Sequence, residues 1–408
     1  MLRRGIAIIT VISIGVIPAF SQTKPRRRRT RSHKSRPGRI VPRPLLPSKP
    51  IIPKEKTLEV QARPKILSRP LPKQRRLSQG RWKPAIADAL ERVLEYSGEG
   101  EPNYSTLDPP VVVFGFEDVA INGHLGEAIF RRMVRRAEFR FSPAWWDRIP
   151  QQYGRSRIEA GYRGFMKSET RSWPVNPFYK MYRKGMLRTY RIICEEAGFA
   201  ACHRWIASLL MNYGEAELRR YSRATLIEEL NRPIGIKIVE DIPEDPSPEY
   251  ERTGIRLIPE MSELFAQLRR RGFDLWIMST SNDWSDEVFA SAIGVDISRV
   301  LGIRVKVNDG ILGEEPLIPI PTGEGAAEAL TLFIGRVPVL VVASPRDKKI
   351  LGYGNGMRVV VVQKPLDPKT SREWRGRGWF IQPAFSPIAT PQRLLGTVPT
   401  ETEKETPP

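Results

Sequence analysis

The sequence from residue 109 to residue 119 is Pro109-Pro110-Val111-Val112-Val113-Phe114-Gly115-Phe116-Glu117-Asp118-Val119. Two prolines close the preceding segment, and four β-branched or aromatic residues then follow without a polar interruption. Such a run is typical of a strand that is buried on both faces of a parallel sheet. Gly115 marks the carboxyl end of the strand, where doubly wound sheets bind their ligands. The stretch therefore predicts an α/β fold with a doubly wound, mostly parallel sheet.

This stretch resembles the first motif of the haloacid dehalogenase (HAD) superfamily, in particular that of its phosphoserine and phosphorylcholine phosphatase branch. In that branch the strand is followed by Asp, an aromatic residue or Met, Asp, any residue and Thr. The first Asp is the nucleophile that accepts the phosphoryl group, and the second is the general acid/base. In this chain Gly115 stands at the nucleophile position, Glu117 at the acid/base position and Val119 at the Thr position. The resemblance implies a HAD-like core whose chemistry has changed.

Two later segments resemble the second and third motifs of the family. The predicted strand Leu275–Met278 leads into Ser279, which matches the Ser or Thr that holds the transferring phosphoryl group. The resemblance therefore implies a phosphate-binding role for Ser279. The sequence Gly-Glu-Gly-Ala at 323–326 matches the context of the third motif, but Ala326 stands where the family has a Lys.

The fourth motif is recognisable in the segment 339–347, which begins with a predicted strand. Ala343 replaces the metal-binding Asp of the family, Ser344 is kept, and Asp347 matches the second Asp. The four motifs follow one another in the family order across residues 82–370, each at a strand end. This order implies the complete HAD-like core, with a final strand at Met357–Gln363.

The replaced residues bear directly on activity. In the family, Mg²⁺ is bound by the nucleophile, by the backbone carbonyl two residues later and by the fourth-motif Asp; here only the Glu117 carbonyl and Asp347 remain. Loss of a nucleophile alone commonly lowers the rate by about 10⁴–10⁶. The resemblance therefore implies a domain without catalysis and without a cofactor. A divergent phosphohydrolase that uses Glu117 or Asp118 is the alternative.

The candidate site consists of the motif positions, to none of which a catalytic role is assigned: Gly115, Glu117, Asp118, Ser279, Ala326, Ala343 and Asp347. Glu117, Ser279 and Asp347 are equally compatible with structural roles at strand ends. No metal site is predicted. The chain has three histidines, which are scattered along it: His33, His124 and His203. There is also no second cysteine pair to complete a zinc site.

The charge is concentrated in one segment. Residues 22–80 contain 19 Lys and Arg and two acids, which accounts for +17 of the formal net charge of +21, and they contain no aromatic residue. A Pro/Arg/Lys-rich segment of this kind is expected to be disordered. It is either a solvated spacer or an arm that binds an anionic envelope surface or another polyanion through charge. Residues 81–408 carry only about +2, so bulk charge does not indicate a nucleic-acid-binding domain.

Residues 1–21 have the pattern of a signal peptide or a membrane anchor. Arg3 and Arg4 precede an apolar run, and Ala19 and Ser21 form a small-residue cleavage pattern. Positive residues that follow at once oppose translocation. The prediction is an extracytoplasmic protein, secreted or periplasmic, or a membrane-anchored protein whose domain lies on either side of the membrane.

The predicted HAD-like domain spans residues 81–382, with a helical cap at about 141–256 and a loose tail at 383–408. The cap contains both cysteines. On one unbroken helix Cys194 and Cys202 would lie about 12 Å apart, beyond the roughly 7 Å Cα separation that a disulfide allows. Two buried thiols are therefore favoured, and a helix break at Gly198 would permit a disulfide.

Together these patterns predict a HAD-like phosphatase-fold protein that is catalytically inactive and acts by binding. The expected ligand is small and anionic or zwitterionic, and it binds under the cap. The alternatives are a divergent phosphomonoester hydrolase and a protein that tethers itself to a polyanionic surface through its basic arm.

Overall fold

The computed structural model describes residues 64–78, 80–239 and 247–393. The predicted signal or anchor at 1–21, the arm as far as residue 63 and the tail beyond residue 393 lie outside these ranges. Among the helices of the described ranges, none is long and apolar enough to cross a membrane.

The core is a six-stranded parallel sheet with strand order β12-β11-β10-β1-β6-β7. The strands of this sheet and of three small two-stranded sheets are β1 (Val111–Gly115), β2 (Ile121–Asn122), β3 (Gly235–Val239), β4 (Glu249–Thr253), β5 (Arg256–Leu257), β6 (Asp274–Asn282), β7 (Val300–Ile303), β8 (Val305–Asn308), β9 (Ile311–Pro316), β10 (Leu340–Ala343), β11 (Met357–Val362) and β12 (Phe380–Pro383). The α/β fold class is confirmed. The prediction that the strand at 357 is the last one was wrong, because β12 adds a further parallel strand beside β11.

Helices cover both faces of the central sheet. In chain order they are α1 (Pro84–Ser97), α2 (Leu125–Arg136), α3 (Pro143–Trp146), α4 (Arg155–Phe165), α5 (Pro177–Ala197), α6 (Phe199–Ser208), α7 (Glu215–Asn231), α8 (Pro259–Arg270), α9 (Asp283–Ala292), α10 (Gly325–Ala329), α11 (Lys348–Leu351) and α12 (Pro368–Gly376). Side chains alternate along β1, so Val112 and Phe114 belong to one apolar cluster and Val111 and Val113 to the other. Every residue of β1 is buried, as its unbroken apolar sequence predicts.

The segment predicted as the cap contains α3 to α7 and the antiparallel pair of β3 and β4. Its interior is aromatic: the ring centroids of Phe141 and Tyr162 lie 4.0 Å apart, and those of Phe165 and Tyr182 lie 5.3 Å apart. Tyr182 is fully buried. The aromatic side chains of this segment therefore form part of its core.

A disulfide joins Cys194 near the end of α5 to Cys202 on α6. Gly198 separates the two helices with a φ of 85°, a backbone conformation that glycine adopts without strain. The turn brings the two Cα atoms to 5.0 Å from each other, within the range that a disulfide needs. The favoured prediction of two buried thiols was wrong, because the helix is interrupted at Gly198.

Both ends of the described domain extend beyond the predicted limits. Before residue 81, Leu77 is buried, and its backbone N–H donates to Glu91 on α1 at 2.8 Å. After residue 382, Phe385 is buried, and the fully buried Arg256 donates to the backbone oxygen of Ile388 at 3.0 Å. Residues 64–78 and 384–393 therefore pack on the domain and are not a free arm and a loose tail.

Candidate functional site

Three strand ends bring the predicted site residues together. Gly115 pairs with Met278 on β6, and Phe114 pairs with Val342 on β10. Because the three strands are parallel, the residues that follow them lie at one edge of the sheet. The register therefore places Ser279 and Ala343 beside Gly115.

The space next to Gly115 is occupied. A Cβ atom on Gly115 would lie 3.2 Å from Oδ2 of Asp347 and 3.4 Å from the Cα atom of Ala343. Asp347 is held there because its Oδ2 accepts hydrogen bonds from the Ser344 hydroxyl at 2.7 Å and from the Ser344 backbone N–H at 3.2 Å. Burial, together with the nearby Glu117 carboxylate, raises the pKa of Asp347 to about 6. The retained acid of the fourth motif thus fills the place beside the missing nucleophile.

Glu117 is held by the end of β6. Its carboxylate accepts a hydrogen bond from the Ser279 hydroxyl and another from the Thr280 backbone N–H, the latter at 3.2 Å. The Ser279 oxygen in turn accepts from the backbone N–H of Ser281 at 3.0 Å. All four residues are buried. The hydroxyl predicted to hold phosphate is therefore engaged with the protein's own carboxylate.

A second buried acid lies near Glu117 and was not found from the sequence. Asp286 is on α9, the helix that follows β6, and it is fully buried. Burial, reinforced by the negative charge of Glu117, raises its pKa well above the ordinary value. The only sequence signal for Asp286 was its position within one helical turn of the second motif.

Two of the predicted positions take no part in this group. Asp118 has a φ of 55°, and its Oδ1 accepts from the Gly123 backbone N–H at 3.1 Å and from Arg252 at 3.4 Å. Ala326 is buried on α10 in the apolar cluster that also contains Ala343. Asp118 is thus tied to an ion pair with Arg252, and Ala326 contributes no charge.

Above Glu117 lies a pair of histidines, one from α2 and one from the cap. His124 caps α2, because its Nδ1 accepts from the backbone N–H of Glu127 at 3.2 Å. His203 on α6 places its ring centroid 4.1 Å from that of His124. Both rings are buried, and Nε2 of His124 lies 3.7 Å from Oε1 of Glu117. Helix α6 therefore covers the remnant site with an imidazole.

No family model matches the chain, and no curated protein matches it. A functionally unknown protein from Anaerococcus prevotii is similar in structure, with a TM-score of 0.65 and 19% identity over 76% of this chain and 94% of that chain. A HAD family hydrolase from Salmonella enterica serovar Typhi matches with a TM-score of 0.36 and 11% identity over 64% of this chain and 65% of that chain. A phosphoserine phosphohydrolase-like protein from Francisella tularensis matches with a TM-score of 0.32 and 13% identity over 67% and 94% of the two chains.

The chain shares its α/β fold, built on a parallel six-stranded sheet, with the Anaerococcus prevotii protein. The four segments that resemble the HAD motifs lie at the ends of β1, β6 and β10 and at the start of α10.

The residues at these strand ends do not fit the Mg²⁺ ion that the resemblance implies. Magnesium requires a near-octahedral set of oxygen ligands. Gly115 and Ala343 offer no side-chain oxygen, so of the implied ligands only the Glu117 backbone carbonyl and the Asp347 carboxylate remain. These residues therefore do not support a catalytic step that depends on Mg²⁺.

Proposed function

We propose that the HAD-like domain is not a phosphohydrolase and that the protein acts by binding, outside the cytoplasm. The observation that carries this proposal is the position of the Asp347 carboxyl group. Its Oδ2 atom lies 3.2 Å from the point that a Cβ atom on Gly115 would occupy. A phosphoryl acceptor attached to residue 115 is missing, and its place is taken by a carboxyl group that hydrogen bonds hold on another strand end.

The hydrogen bonding of the remaining polar side chains supports the same proposal. Ser279 donates to Glu117, so a phosphate would have to displace that bond before Ser279 could hold it. Both residues are buried beneath α6, whose His203 covers His124. No Lys stands at position 326 to compensate phosphate charge. Phosphoryl transfer depends mainly on such electrostatic stabilisation, so these residues are poorly suited to it.

The Cys194–Cys202 disulfide supports a location outside the cytoplasm, because disulfides persist mainly in oxidising compartments. This agrees with the signal-like pattern at residues 1–21. A ligand of the protein is then an extracellular or periplasmic molecule, or an anionic surface reached through the basic arm.

One observation favours a divergent hydrolase as a second candidate. The Asp347 carboxyl lies beside the nucleophile's place, and with a pKa of about 6 it is ionised at neutral pH. A carboxylate there has the position needed to attack a phosphoryl group, with Glu117 as the acid. Two observations oppose this role. Asp347 is hydrogen bonded to Ser344, and the neighbouring residues do not provide the oxygen ligands that Mg²⁺ requires.

The test is an assay of the full chain with p-nitrophenyl phosphate, phosphoserine and phosphorylcholine in the presence of Mg²⁺. We expect no turnover above that of the Glu117→Ala and Asp347→Asn variants. Turnover by the wild-type chain that Asp347→Asn abolishes would contradict the proposal and identify the shifted nucleophile. Turnover that is lost only in Glu117→Ala would contradict it as well and assign the chemistry to Glu117.

A further inference from the structure

Two histidines and one glutamate converge where α6 of the cap meets α2 of the core. One ligand atom from each of His124, Glu127 and His203 lies within 4.8 Å of the others. His124 and Glu127 are one helical turn apart at the start of α2, and His203 is on α6. The three side chains therefore come from two separate elements, and Nε2 of His124 also lies 2.9 Å from the Thr280 hydroxyl.

The chemistry of these donors matches a particular class of metal. Imidazole nitrogen suits zinc and similar transition metals, and two His with one carboxylate form a known ligand set for Zn²⁺. Magnesium and calcium prefer oxygen ligands throughout. The donor set therefore selects Zn²⁺ or a similar divalent transition metal over Mg²⁺.

The surroundings of the cluster are consistent with a ligand that completes it. Nε2 of His203 lies 3.7 Å from Oε1 of Glu127 and 3.2 Å from the Tyr190 hydroxyl, and the buried Nδ1 of the same ring has no hydrogen-bond partner within the described part of the chain. Oε1 of Glu127 accepts from Tyr190 at 2.8 Å and Oε2 accepts from Arg131 at 2.7 Å, which orients the carboxylate. Such hydrogen bonds to a ligating carboxylate are typical of metal sites.

We propose that His124, Glu127 and His203 bind one divalent transition metal ion, with Zn²⁺ the best match. Tetrahedral zinc needs ligand atoms about 2.0–2.2 Å from the metal, so the three side chains close slightly around the ion. The Glu117 oxygen 3.7 Å from Nε2 of His124 is a further donor within reach. Because α6 and α2 both contribute, the bound ion ties the cap to the core. This site is separate from the Mg²⁺ position of the superfamily and independent of whether the domain hydrolyses phosphate.

The experiment uses the full chain, purified without a histidine tag and stripped with a chelator. Calorimetric titration with ZnCl₂ should give one ion per chain, and MgCl₂ should give no binding. Co²⁺ should bind with the visible absorption bands of a tetrahedral nitrogen-containing site, a signature that a purely structural cluster does not produce. The chain contains one further histidine, His33, so His33→Ala is the matched control and should bind as the wild type does.

His203→Ala should lose stoichiometric binding, and Tyr190→Phe should weaken it by about tenfold, since removal of a ligand's hydrogen-bond partner typically has an effect of 10–100-fold. Stoichiometric Zn²⁺ binding that persists in His203→Ala, or that disappears in His33→Ala, would overturn the proposal. If His203→Ala does not fold, the Co²⁺ spectrum of the wild-type chain decides. A spectrum without tetrahedral bands, or no Co²⁺ uptake, overturns the site.

Discussion

The Oδ2 atom of Asp347 lies 3.2 Å from the point that a Cβ atom would occupy on Gly115. The two positions belong to different motifs, at the ends of β1 and β10, and they meet because the strands are parallel neighbours. Residue 115 has no side chain, and the Asp347 carboxyl group lies in the adjoining space. Restoring only the lost residue would create a crowded site with two carboxylates.

Gly115→Asp should destabilise the protein, because the new side chain approaches Asp347 and Ala343 and adds a like charge. Overpacking of this kind typically costs about 1–3 kcal/mol, measurable by urea unfolding. In Gly115→Asp/Asp347→Asn the penalty should shrink, which a double-mutant cycle quantifies. Gly376→Asp is the matched control, since a Cβ atom there meets nothing within 4 Å. Equal effects at positions 115 and 376 would contradict the crowding argument.

Asp347 should make stability depend on pH in a defined direction. Its pKa is about 6 in the folded protein and close to 3.8 unfolded, so between these values the folded state binds more protons. Stability contributed by this group is present below pH 4 and is lost as the pH rises through 6. The free energy of unfolding of Asp347→Asn, relative to that of the wild type, should therefore be higher at pH 7 than at pH 4, by about 1–3 kcal/mol.

The comparison with the variant is needed because the buried histidines have the opposite effect. The pKa of His124 is lowered to about 4, so this group makes the wild type less stable as the pH falls below 6.5. Urea unfolding of both proteins at pH 4, 5, 6 and 7 isolates the contribution of Asp347. A wild-type-minus-variant difference that does not change with pH would contradict the raised pKa.

Reduction of the Cys194–Cys202 bond should lower stability by about 2–3 kcal/mol, since the bond closes a short loop with a sequence separation of 8. The melting temperature in the presence of a thiol reductant measures this effect. The chain has two cysteines, so Cys194→Ser/Cys202→Ser is the control and should not respond to the reductant. An unchanged melting temperature in the wild type would show that the bond is absent in solution.

The basic arm should bind polyanions in a salt-dependent way. The affinity of the full chain for DNA or anionic vesicles should fall linearly on a log–log plot against salt, for nucleic acids with a slope of about −0.7 to −0.9 per phosphate contact. Deletion should cover residues 22–63, because Leu77 and its neighbours pack on α1. Binding retained after this deletion would move the contact to the folded domain and make the segment a spacer.

The sequence was sufficient to predict the core because the relevant signals are local. The unbroken apolar run of β1 and the motif segments at the ends of β6 and β10 each specify a buried strand followed by a polar turn. Parallel strands in register then bring the ends together, so the proximity of Gly115, Ser279 and Ala343 followed from the fold class. The sequence alone also shows that Gly115, Ala326 and Ala343 replace the Asp, Lys and Asp of the motifs that it resembles.

What the sequence could not show depends on where distant segments meet. His124 and His203 are scattered along the chain, and only the packing of α6 over α2 places their rings 4.1 Å apart. The turn at Gly198 converts two cysteines on an expected helix into a disulfide. The short-range periodicity of a sequence specifies which face of a helix is apolar, whereas the contact between two polar groups on different helices is set by the packing of the whole cap.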